Sequence, residues 1–451
     1  MATKKVPIVA IVGRANVGKS SLFNSILRRR EAIVANEPGT TRDSVIAKAS
    51  YSDQDFWLVD TAGMKEPDDD FEFTIQEQII QAADSADVIW VVIEADTVIT
   101  EEDRKVATLA LKSRKPVFLV VNKIDKLKGA RAEDYQKLGI KPIMLISVSQ
   151  NRGIADLLDQ LVELIPKASI KEDSDRLQVA LLGRPNVGKS YLFNTLAKKQ
   201  QAIVADKAGT TRDINRSVVR YKGREIQLLD TAGIRRNGKI EVGVERFSVI
   251  RSLSAIEQAD VCLLLMDVNE LGVQLDQKIA GLIKEAGKGL ILVVSKWDSI
   301  EDSKTPYTRD QLAPQIQSEF AFVPWAPLIF TSSVTGQNVT KIFDLVLEID
   351  EQRHKRITTS ELNRWLGMVV NSHPPAGLKN RSPKLNYIVQ EDDNPSPSFK
   401  VFGAHTKFLH WSYKRYMDRQ IRDTFGFSGT PIKFWFIEKH IDRKKEAAKK
   451  A

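Results

Sequence analysis

Two glycine-rich stretches carry the residue types that bind the phosphates of a nucleotide. Gly13 to Ser20 and Gly183 to Ser190 both read Gly-x-x-x-x-Gly-Lys-Ser, and each lies between a short apolar run and a helical pattern. In that context, backbone N–H groups and the helix N-terminus surround the phosphates. The lysine reaches the β and γ phosphates, and the serine hydroxyl holds Mg²⁺. The sequence therefore predicts two sites for a nucleoside triphosphate with Mg²⁺.

Two acidic residues that end apolar runs could complete these phosphate sites. Asp60 to Gly63 and Asp230 to Gly233 both read Asp-Thr-Ala-Gly. A carboxylate at a strand end can support the metal shell, and the glycine can offer a close backbone N–H to the γ-phosphate. The alternative is an ordinary turn after a strand, but the phosphate loop upstream favours the catalytic interpretation.

A third motif predicts which base is bound. Asn122 to Asp125 follows the apolar run Val117 to Val121. A carboxylate there can accept hydrogen bonds from guanine N1–H and N2–H₂, a donor pair that adenine lacks, so GTP is favoured over ATP. Asp298 repeats this function in the second copy, but Ser295 stands where the first copy has asparagine. Because serine makes fewer hydrogen bonds, we expect weaker guanine-nucleotide binding at the second site, and comparable affinities of the two isolated domains would contradict this.

Serine residues follow the fifth apolar run of each copy. They are Ser147, followed by Val148, and Ser332, followed by Ser333. A backbone N–H here could contact guanine O6, whereas serine before a helix is usually an N-cap. The sequence leaves both interpretations open.

The motifs recur at a fixed offset, so two similar sets of elements must position them. Gly39 to Asp43 and Gly209 to Asp213 share Gly-Thr-Thr-Arg-Asp and, like the phosphate loops, are 170 residues apart. A period this long indicates a duplicated domain rather than a stacked array. Short apolar runs alternate with helical patterns, which predicts an α/β fold with a mostly parallel sheet and helices on both faces. The predicted strands are 8–12, 56–59, 88–93, 117–121 and 143–146 in the first copy, and 179–182, 226–229, 261–266, 290–294 and 328–330 in the second.

Composition argues against several other classes of protein. The apolar runs are far shorter than the roughly 18 to 20 residues of a bilayer span. The basic N-terminus leads straight into a strand, so we expect neither a membrane span nor secretion. The single cysteine, Cys262, lies in an apolar run and can form no internal disulfide, which fits a reducing cytosol. Five scattered histidines suggest no transition-metal site.

The net charge of +9 is concentrated near the C-terminus. Residues 353–451 contain 20 Lys plus Arg and 9 Asp plus Glu, a balance of +11, which leaves the first 352 residues at −2. Such a region suggests a polyanionic partner, most commonly nucleic acid. Solvated surface lysine and arginine are the alternative.

The same region predicts a small α+β domain. Helices are expected over 359–370 and 410–425, and strands over 384–390, 398–402 and 431–438. Gly426 to Gly429 has the letters of the Gly-x-x-Gly loop of KH domains but precedes the last strand, so we interpret it as a turn. Aromatic and basic side chains together can stack on bases and neutralise phosphates, while at least half of these aromatics are expected to build the core. They are Trp411, Tyr413, Tyr416, Phe434, Trp435 and Phe436, among Lys414, Arg415, Arg419, Arg422 and Lys433.

The order of the motifs resembles the translation-factor class of GTPases. Two such domains followed by a basic domain resemble the EngA (Der) family of double-domain ribosome-assembly GTPases, and the likeness covers nearly the whole chain. The resemblance implies hydrolysis of GTP to GDP and phosphate, dependence on Mg²⁺, and assistance in maturation of the large ribosomal subunit. It also implies binding of ribosomal RNA by a KH-like domain. We expect a cytoplasmic monomer.

The expected organisation follows from this resemblance. The first GTPase domain spans 4–166, a linker spans 167–176, the second GTPase domain spans 177–352, and the KH-like RNA-binding domain spans 353–440. The basic tail, 441–451, is expected to be disordered and available to RNA.

The resemblance also assigns metal ligands. In related GTPases the Gly-Thr-Thr-Arg-Asp segment is the first switch, and one of its threonines binds Mg²⁺. Thr41 and Thr211 are the preferred matches to this threonine, ahead of Thr40 and Thr210. Asn16 and Asn186 match the asparagine that helps bind K⁺ in potassium-activated relatives. A monovalent cation there would offset charge that develops in phosphoryl transfer.

Relatives in other branches use a glutamine after Asp-Thr-Ala-Gly to orient water. This chain has Met64 and Ile234 at that position, so a glutamine there is excluded. We hypothesise that backbone groups, K⁺ and a bound partner order the water. Hydrolysis by the protein alone should then be slow.

The candidate site residues form three groups. The catalytic group is Lys19, Thr41, Asp60, Gly63, Lys189, Thr211, Asp230 and Gly233. The nucleotide-binding group is Gly13, Arg14, Ala15, Asn16, Val17, Gly18, Lys19, Ser20, Asp60, Thr61, Ala62, Gly63, Met64, Asn122, Lys123, Ile124 and Asp125 in the first copy, and Gly183, Arg184, Pro185, Asn186, Val187, Gly188, Lys189, Ser190, Asp230, Thr231, Ala232, Gly233, Ile234, Ser295, Lys296, Trp297 and Asp298 in the second. The metal group is Ser20, Thr41, Ser190 and Thr211 for Mg²⁺, and Asn16 and Asn186 for K⁺.

Two other functions fit parts of the sequence. In one, the chain is a nucleotide-dependent RNA-binding scaffold with incidental turnover, and protein locked with GTP would complete assembly without hydrolysis. In the other, it is a tRNA-modifying GTPase with the same first switch. That type lacks a second GTPase copy, and we expect no domain before the first phosphate loop here, so it fits less well.

Overall fold

The computed structural model describes most of the chain, and structural statements below concern those residues. They are 6–28, 46–52, 54–61, 86–95, 98–127, 129–164, 176–199, 215–230, 252–300, 306–375, 377, 382–392, 394 and 396–438. They divide into two compact units. One contains the first sheet together with residues 252–258, and the other contains the second and third sheets.

The first unit is built on a six-stranded sheet in the order β2-β3-β1-β4-β5-β6. Its strands are β1 (Ile8–Val12), β2 (Ile46–Tyr51), β3 (Gln54–Asp60), β4 (Val88–Glu94), β5 (Val117–Asn122) and β6 (Ile143–Leu145). Neighbours pair in parallel except β2, which is antiparallel to β3. Central parallel strands are buried on both faces and therefore read as continuous apolar runs, and every residue of β1 is buried.

A second six-stranded sheet repeats this arrangement in the order β12-β11-β10-β7-β9-β8. Its strands are β7 (Leu177–Leu182), β8 (Asn215–Tyr221), β9 (Arg224–Asp230), β10 (Val261–Asp267), β11 (Gly289–Ser295) and β12 (Leu328–Phe330). Again only the edge strand, β8, is antiparallel to its neighbour. The duplicated sequence thus folds into two sheets of the same topology, and the ten predicted strands are confirmed with bounds shifted by two residues at most.

The third sheet has three strands, β13 (Lys384–Glu391), β14 (Ser398–Ala404) and β15 (Lys433–Glu438). Strand β14 is antiparallel to β13 and parallel to β15. The helices Thr359–Ser372 and Trp411–Phe425 pack on one face of this sheet and share its core. The predicted order of helices and strands is therefore confirmed.

The other described helices flank the two larger sheets. They span Lys19–Arg28, Glu101–Lys112, Ile154–Leu164, Lys189–Lys199, Gln274–Glu285, Pro306–Glu319 and Lys341–His354. Short 3₁₀ turns span Ala132–Leu138, Trp297–Ser299 and Thr406–Phe408. Capping boxes begin two of the helices, with Thr100 paired to Asp103 and Thr358 paired to Glu361. Among the described residues no helix has the length and apolar character to cross a bilayer.

Residues 252–258 form a helical segment inside the first unit. The indole Nε1 of Trp57 donates to Glu257 Oε1 (2.5 Å), and the Val6 N–H donates to Glu257 Oε2 (3.4 Å). Trp57 and Glu257 are both buried. A buried carboxylate is costly without such donors, so these bonds fix the segment against β3.

Candidate nucleotide-binding sites

The two phosphate loops have the same backbone geometry. Asn16 and Asn186 adopt left-handed conformations, with φ of 65° and 64°. Asparagine tolerates this region better than most residues, so the fold gives a conformational reason for asparagine in addition to the predicted K⁺ role. A Cβ on Gly13 would meet Val92 O at 2.3 Å, and one on Gly18 would meet Asn122 Nδ2 at 2.3 Å. The loop therefore needs glycine at both places.

The loop lysines lie across their own loops. Lys19 is 4% exposed, and its Nζ donates to Gly13 O (2.7 Å) and Arg14 O (2.5 Å). Lys189 is 8% exposed and donates in the same way to Gly183 O (2.9 Å). Each ammonium group thus sits inside the curve of backbone where the phosphates are expected. The serines after them, Ser20 and Ser190, are exposed at the helix start.

Burial lowers the pKa of Lys19 to about 8, against a partly compensating effect of Asp60. Only the protonated amine pairs with phosphate. Above about pH 8, nucleotide binding must therefore be accompanied by uptake of a proton by Lys19. We expect the affinity of the first site for GDP to fall as pH rises above about 8, by up to about tenfold per pH unit. Titration calorimetry of the Lys189→Ala chain between pH 7 and 9 measures this.

The matched control is Lys19→Arg, because a guanidinium stays charged throughout this range. Its pH profile reports every other titrating group, including those of the nucleotide. A profile for Lys19 as flat as that of the arginine variant would contradict the assignment.

The loop arginines are paired with acidic side chains. Arg14 Nε lies 3.3 Å from Asp103 Oδ1, and Arg184 Nε lies 3.1 Å from Asp276 Oδ2. Arg184 is 4% exposed and also donates to Glu270 Oε2 (2.7 Å). The predicted nucleotide contacts of Arg14 and Arg184 stay predictions, and a contact through the backbone would leave these ion pairs intact. These acidic partners were not identified from the sequence, although Asp103 and Asp276 both lie in the first turn of a helix, Glu101–Lys112 and Gln274–Glu285.

The acids at the strand ends lie where predicted. Asp60 ends β3 and Asp230 ends β9, and both are 2% exposed. Asp60 is close enough to Lys19 to stabilise its charge. Thr61 Oγ1 donates to Ile11 O (2.8 Å), which holds the chain beside the phosphate loop. Lysine, serine hydroxyl and buried carboxylate are a donor set that fits a Mg²⁺-bound phosphate group.

Asn122 ties the base motif to the phosphate loop in the first copy. Its Nδ2 donates to Val17 O (2.9 Å), and its Oδ1 accepts from the Val148 N–H (3.3 Å). In the second copy the Ser295 hydroxyl reaches the equivalent carbonyl, Val187 O, at 2.7 Å. Serine therefore keeps the bond to the phosphate loop, but its second contact is with Met266 O (3.0 Å) in its neighbouring strand, whereas Asn122 bonds to the Val148 N–H in the loop after β6. The weaker second site remains a prediction.

The predicted base-recognition carboxylates are each held by a serine. Ser147 Oγ donates to Asp125 Oδ1, and Ser332 Oγ donates to Asp298 Oδ1, both at 2.5 Å. The Ser147 bond lowers the pKa of Asp125, which keeps this carboxyl ionised and able to accept. Sequence reasoning considered these serines as caps or backbone donors and missed this role.

The backbone N–H groups beside Ser147 are engaged. The Ser147 N–H donates to Arg152 O (3.0 Å), and the Val148 N–H donates to Asn122 Oδ1. A contact of guanine O6 with the Val148 N–H would require this bond to be exchanged, and the predicted contact from this loop stays a prediction. Ser147 Oγ accepts from the Gln150 N–H at 3.2 Å, but this bond closes a turn ahead of the helix Ile154–Leu164 and is not a helix N-cap.

The middle residues of the base motif have structural partners. Lys123 and Lys296 adopt left-handed conformations, with φ of 64° and 56°. Lys123 Nζ donates to Asn16 O (2.9 Å) and pairs with Glu94, while Lys296 Nζ pairs with Asp267 (2.6 Å). These pairs hold the motif against the phosphate loop and the end of the neighbouring strand.

Several predicted site residues lie outside the described residues. They are Thr41, Ala62, Gly63, Met64, Thr211, Thr231, Ala232, Gly233 and Ile234. The proposed first switch and the water-orienting position therefore stay predictions. The described part of each site consists of the phosphate loop, the strand-end acid and the base motif.

The C-terminal domain sorts its aromatics as expected. Tyr413 is buried, and Tyr416, Phe434 and Phe436 pack against the core, whereas Trp411 is 47% exposed and Trp435 is 39% exposed. The guanidinium of Arg415 lies 4.6 Å from the Trp411 ring centre. Arg422 instead donates to Phe427 O and Thr430 O, so its role is structural.

The Gly426 to Gly429 segment forms a turn that is partly buried. Phe427 is fully buried, and its N–H donates to Gln352 Oε1 (2.8 Å). The Gly429 N–H donates to Trp325 O (2.8 Å), and its carbonyl accepts from the Leu290 N–H (2.9 Å). A Cβ on Gly429 would meet Ile349 at 2.1 Å. Phe427 and Gly429 therefore anchor the domain to the second sheet's elements, whereas Gly426 and Ser428 are exposed.

Comparison with known proteins agrees with this architecture. The family model described as "50S ribosome-binding GTPase" matches residues 8–123 and 178–296. The model "KH-domain-like of EngA bacterial GTPase enzymes, C-terminal" matches residues 356–436. The chain is 42% identical to the GTPase Der of Chloroflexus aggregans, over 98% of this chain and 99% of that protein. It is 41% identical to the GTPase Der of Agathobacter rectalis, over 95% and 97% respectively.

Proposed function

The chain belongs to the EngA (Der) family of GTPases with two GTPase domains, and from this premise we propose that it is a GTP-hydrolysing switch for assembly of the large ribosomal subunit. Hydrolysis of GTP with Mg²⁺ follows from the family. The observation that carries the proposal is the pair of serine-held carboxylates, Asp125 and Asp298, each in the same fold as a phosphate loop.

The described residues would act by positioning and charge. Lys19 and Lys189 would release their loop carbonyls and pair with the β and γ phosphates, and Ser20 and Ser190 would hold Mg²⁺, which neutralises charge on the phosphates. The buried acid at each strand end would orient the hydroxyl and water ligands of the metal. Because phosphoryl transfer needs little covalent chemistry from the protein, fixed positions account for most of the catalysis.

We propose that K⁺ stimulates this hydrolysis through Asn16 and Asn186. Both side chains are exposed at the tip of the phosphate loop, where a cation could reach the phosphates. Thr41 and Thr211 would complete the Mg²⁺ shell. A hydrolysis rate unchanged when Na⁺ replaces K⁺ would contradict the role of the monovalent cation.

The partner we propose is ribosomal RNA within the large subunit. The family model is described as ribosome-binding, and the region 353–451 has a charge balance of +11. Trp411, Arg415, Trp435 and the nearby lysines of this domain have accessible side chains. Exposed aromatic and cationic groups in contact suit unpaired bases and their phosphates. We further propose that the chain acts as a cytoplasmic monomer with the domain bounds expected above.

Removing the exposed aromatic should weaken RNA binding. We expect Trp411→Ala to lower affinity for large-subunit RNA by about 5- to 100-fold, the range for one lost stacking interaction. Arg415→Ala should reduce the salt dependence of binding by about one phosphate contact. Filter binding across a range of KCl concentrations measures both effects.

The control is Met368→Ala, which removes an exposed apolar side chain (58% exposed) from another helix of the same domain. It should bind RNA like the parent chain. Equal losses for Trp411→Ala and Met368→Ala would place the RNA surface elsewhere.

Sedimentation with ribosomal subunits tests the function itself. We expect the chain to sediment with large subunits in a non-hydrolysable GTP analogue and to be released in GDP, with Lys19→Ala and Lys189→Ala separating the two sites. Equal sedimentation with large subunits in GDP and in the GTP analogue would contradict the proposed switch. Complete assembly by GTP-locked protein without hydrolysis would favour the scaffold alternative.

A further inference from the structure

Tyr191 is an exposed aromatic side chain at the second nucleotide site. It directly follows the predicted Mg²⁺ ligand Ser190 in the first turn of the helix Lys189–Lys199 and is 62% exposed. Aromatic rings normally bury much of their surface. An exposed ring beside a phosphate loop is a surface that a bound ligand can cover.

A second exposed apolar side chain lies on the base side of the same site. Val334 is 70% exposed and follows Ser332, whose hydroxyl holds Asp298. Thr195 connects the two places, because its Oγ1 is 2.9 Å from Tyr191 O and 3.5 Å from Ser333 O. The turn that carries Tyr191 and the loop that carries Val334 are therefore neighbours. Both adjoin residues that bind the nucleotide.

The first copy differs at the same positions. Ser21 follows the phosphate-loop serine there, and Ser149 is two residues after Ser147. Both are exposed and polar, and Ser149 Oγ bonds to Ser147 Oγ at 3.0 Å. The second site thus has an aromatic ring and an aliphatic side chain where the first has two small serines. It also has Ser295 in place of Asn122.

The space around the second phosphate loop is also less filled by polar side chains than the space around the first. A Cβ on Gly18 would meet the Asn122 amide, whereas no described atom lies within 4 Å of a Cβ on Gly188. The shorter Ser295 accounts for this difference, because its hydroxyl stops at Val187 O. The second site therefore offers fewer fixed polar contacts and more accessible apolar surface.

We propose that Tyr191, together with Val334, forms an apolar wall against the nucleoside part of the nucleotide in the second site. The ring covers the ribose and base from the phosphate-loop helix, and Val334 covers the base from the loop of Ser332. This contact offsets part of the affinity lost with the asparagine amide. The proposal rests on the guanine-nucleotide binding proposed above and assigns a residue to it that the first site lacks.

The test uses the full chain carrying Lys19→Ala, so that the second site reports alone. Calorimetry with GDP should show about tenfold weaker binding for Tyr191→Ser, from the loss of ring contact area, and near-parent binding for Tyr191→Phe. Pyrophosphate, which has no nucleoside, should bind all three proteins equally. In the Lys189→Ala chain, Ser21→Tyr should strengthen GDP binding at the first site.

The outcomes separate this proposal from the function it rests on. If the parent binds GDP and Tyr191→Ser binds it with the same affinity, the proposed contact of Tyr191 with the nucleoside is refuted. Guanine-nucleotide binding at the second site is then unaffected. Equal losses of GDP and pyrophosphate affinity would also refute this contact, because the substitution would then have damaged the phosphate loop. Failure of the parent second site to bind GDP at all would instead refute guanine recognition there.

Discussion

Lys189→Ala is expected to abolish nucleotide binding at the second site while the first site still binds GTP. The ammonium group is 8% exposed and already points at the phosphate position, where it donates to Gly183 O. Each hydrogen bond between charged groups is worth about 1.5 to 3 kcal/mol. The loss of two bonds to phosphate therefore corresponds to a loss of affinity of roughly 100-fold or more. Lys19→Ala should do the same at the first site.

The two variants are each other's internal control, because each leaves one site intact. Lys105→Ala removes an exposed lysine from the helix Glu101–Lys112 and should bind two nucleotides like the parent. Nucleotide stoichiometry from calorimetry measures the result. Two sites of parental affinity in the Lys189→Ala chain would contradict the proposed role of Lys189 in binding phosphate.

Asp298→Asn and Asp125→Asn should change which base is bound. A carboxylate accepts from both guanine N1–H and N2–H₂, whereas an amide turns one acceptor into a donor that faces N2–H₂. We expect GTP affinity at the altered site to fall by about 100- to 1000-fold, the cost of roughly two bonds to a charged group. Xanthine has a carbonyl in place of the 2-amino group, so the same variants should gain affinity for xanthosine triphosphate.

Ser332→Ala and Ser147→Ala refine this test, since each hydroxyl holds one aspartate at 2.5 Å. Their effect should be smaller and should not favour xanthine, because the carboxylate remains. Asp156→Asn, an exposed position on the helix Ile154–Leu164, removes the same charge away from both sites. An Asp298→Asn chain that still prefers GTP to xanthosine triphosphate at both sites would contradict base recognition by that residue.

The sequence predicts ten of the twelve strands in the two larger sheets and misses β2 and β8. Residues 8–12 and 261–266 are buried on both faces, so their composition alone identifies them as strands. The edge strands β2 and β8 have polar, broken patterns, Ile46–Tyr51 and Asn215–Tyr221, because one side of each faces solvent. Their existence depends on pairing with β3 and β9 rather than on local composition.

In the candidate sites, the sequence predicts the residues that would bind the ligand but not the partners that hold them in place. Motif letters predict Lys19 and Asp125, because phosphate and guanine chemistry constrain residue type and spacing. The partners that hold these groups are distant in sequence, as with Arg14 and Asp103 or Ser295 and Val187. Such pairs arise from the order of strands in the sheet, so only the fold brings them together. The bonds of Gly429 to Trp325 and Leu290, next to and in the second sheet, are likewise a tertiary effect.

Direct titration of the purified full-length chain with guanine and adenine nucleotides, in buffer with Mg²⁺, is the sharpest test of two guanine-specific sites. The account predicts two bound GDP molecules per chain, the weaker one removed by Lys189→Ala, and no measurable uptake of ADP. Uptake of ADP as tight as that of GDP, or of neither nucleotide, would contradict it.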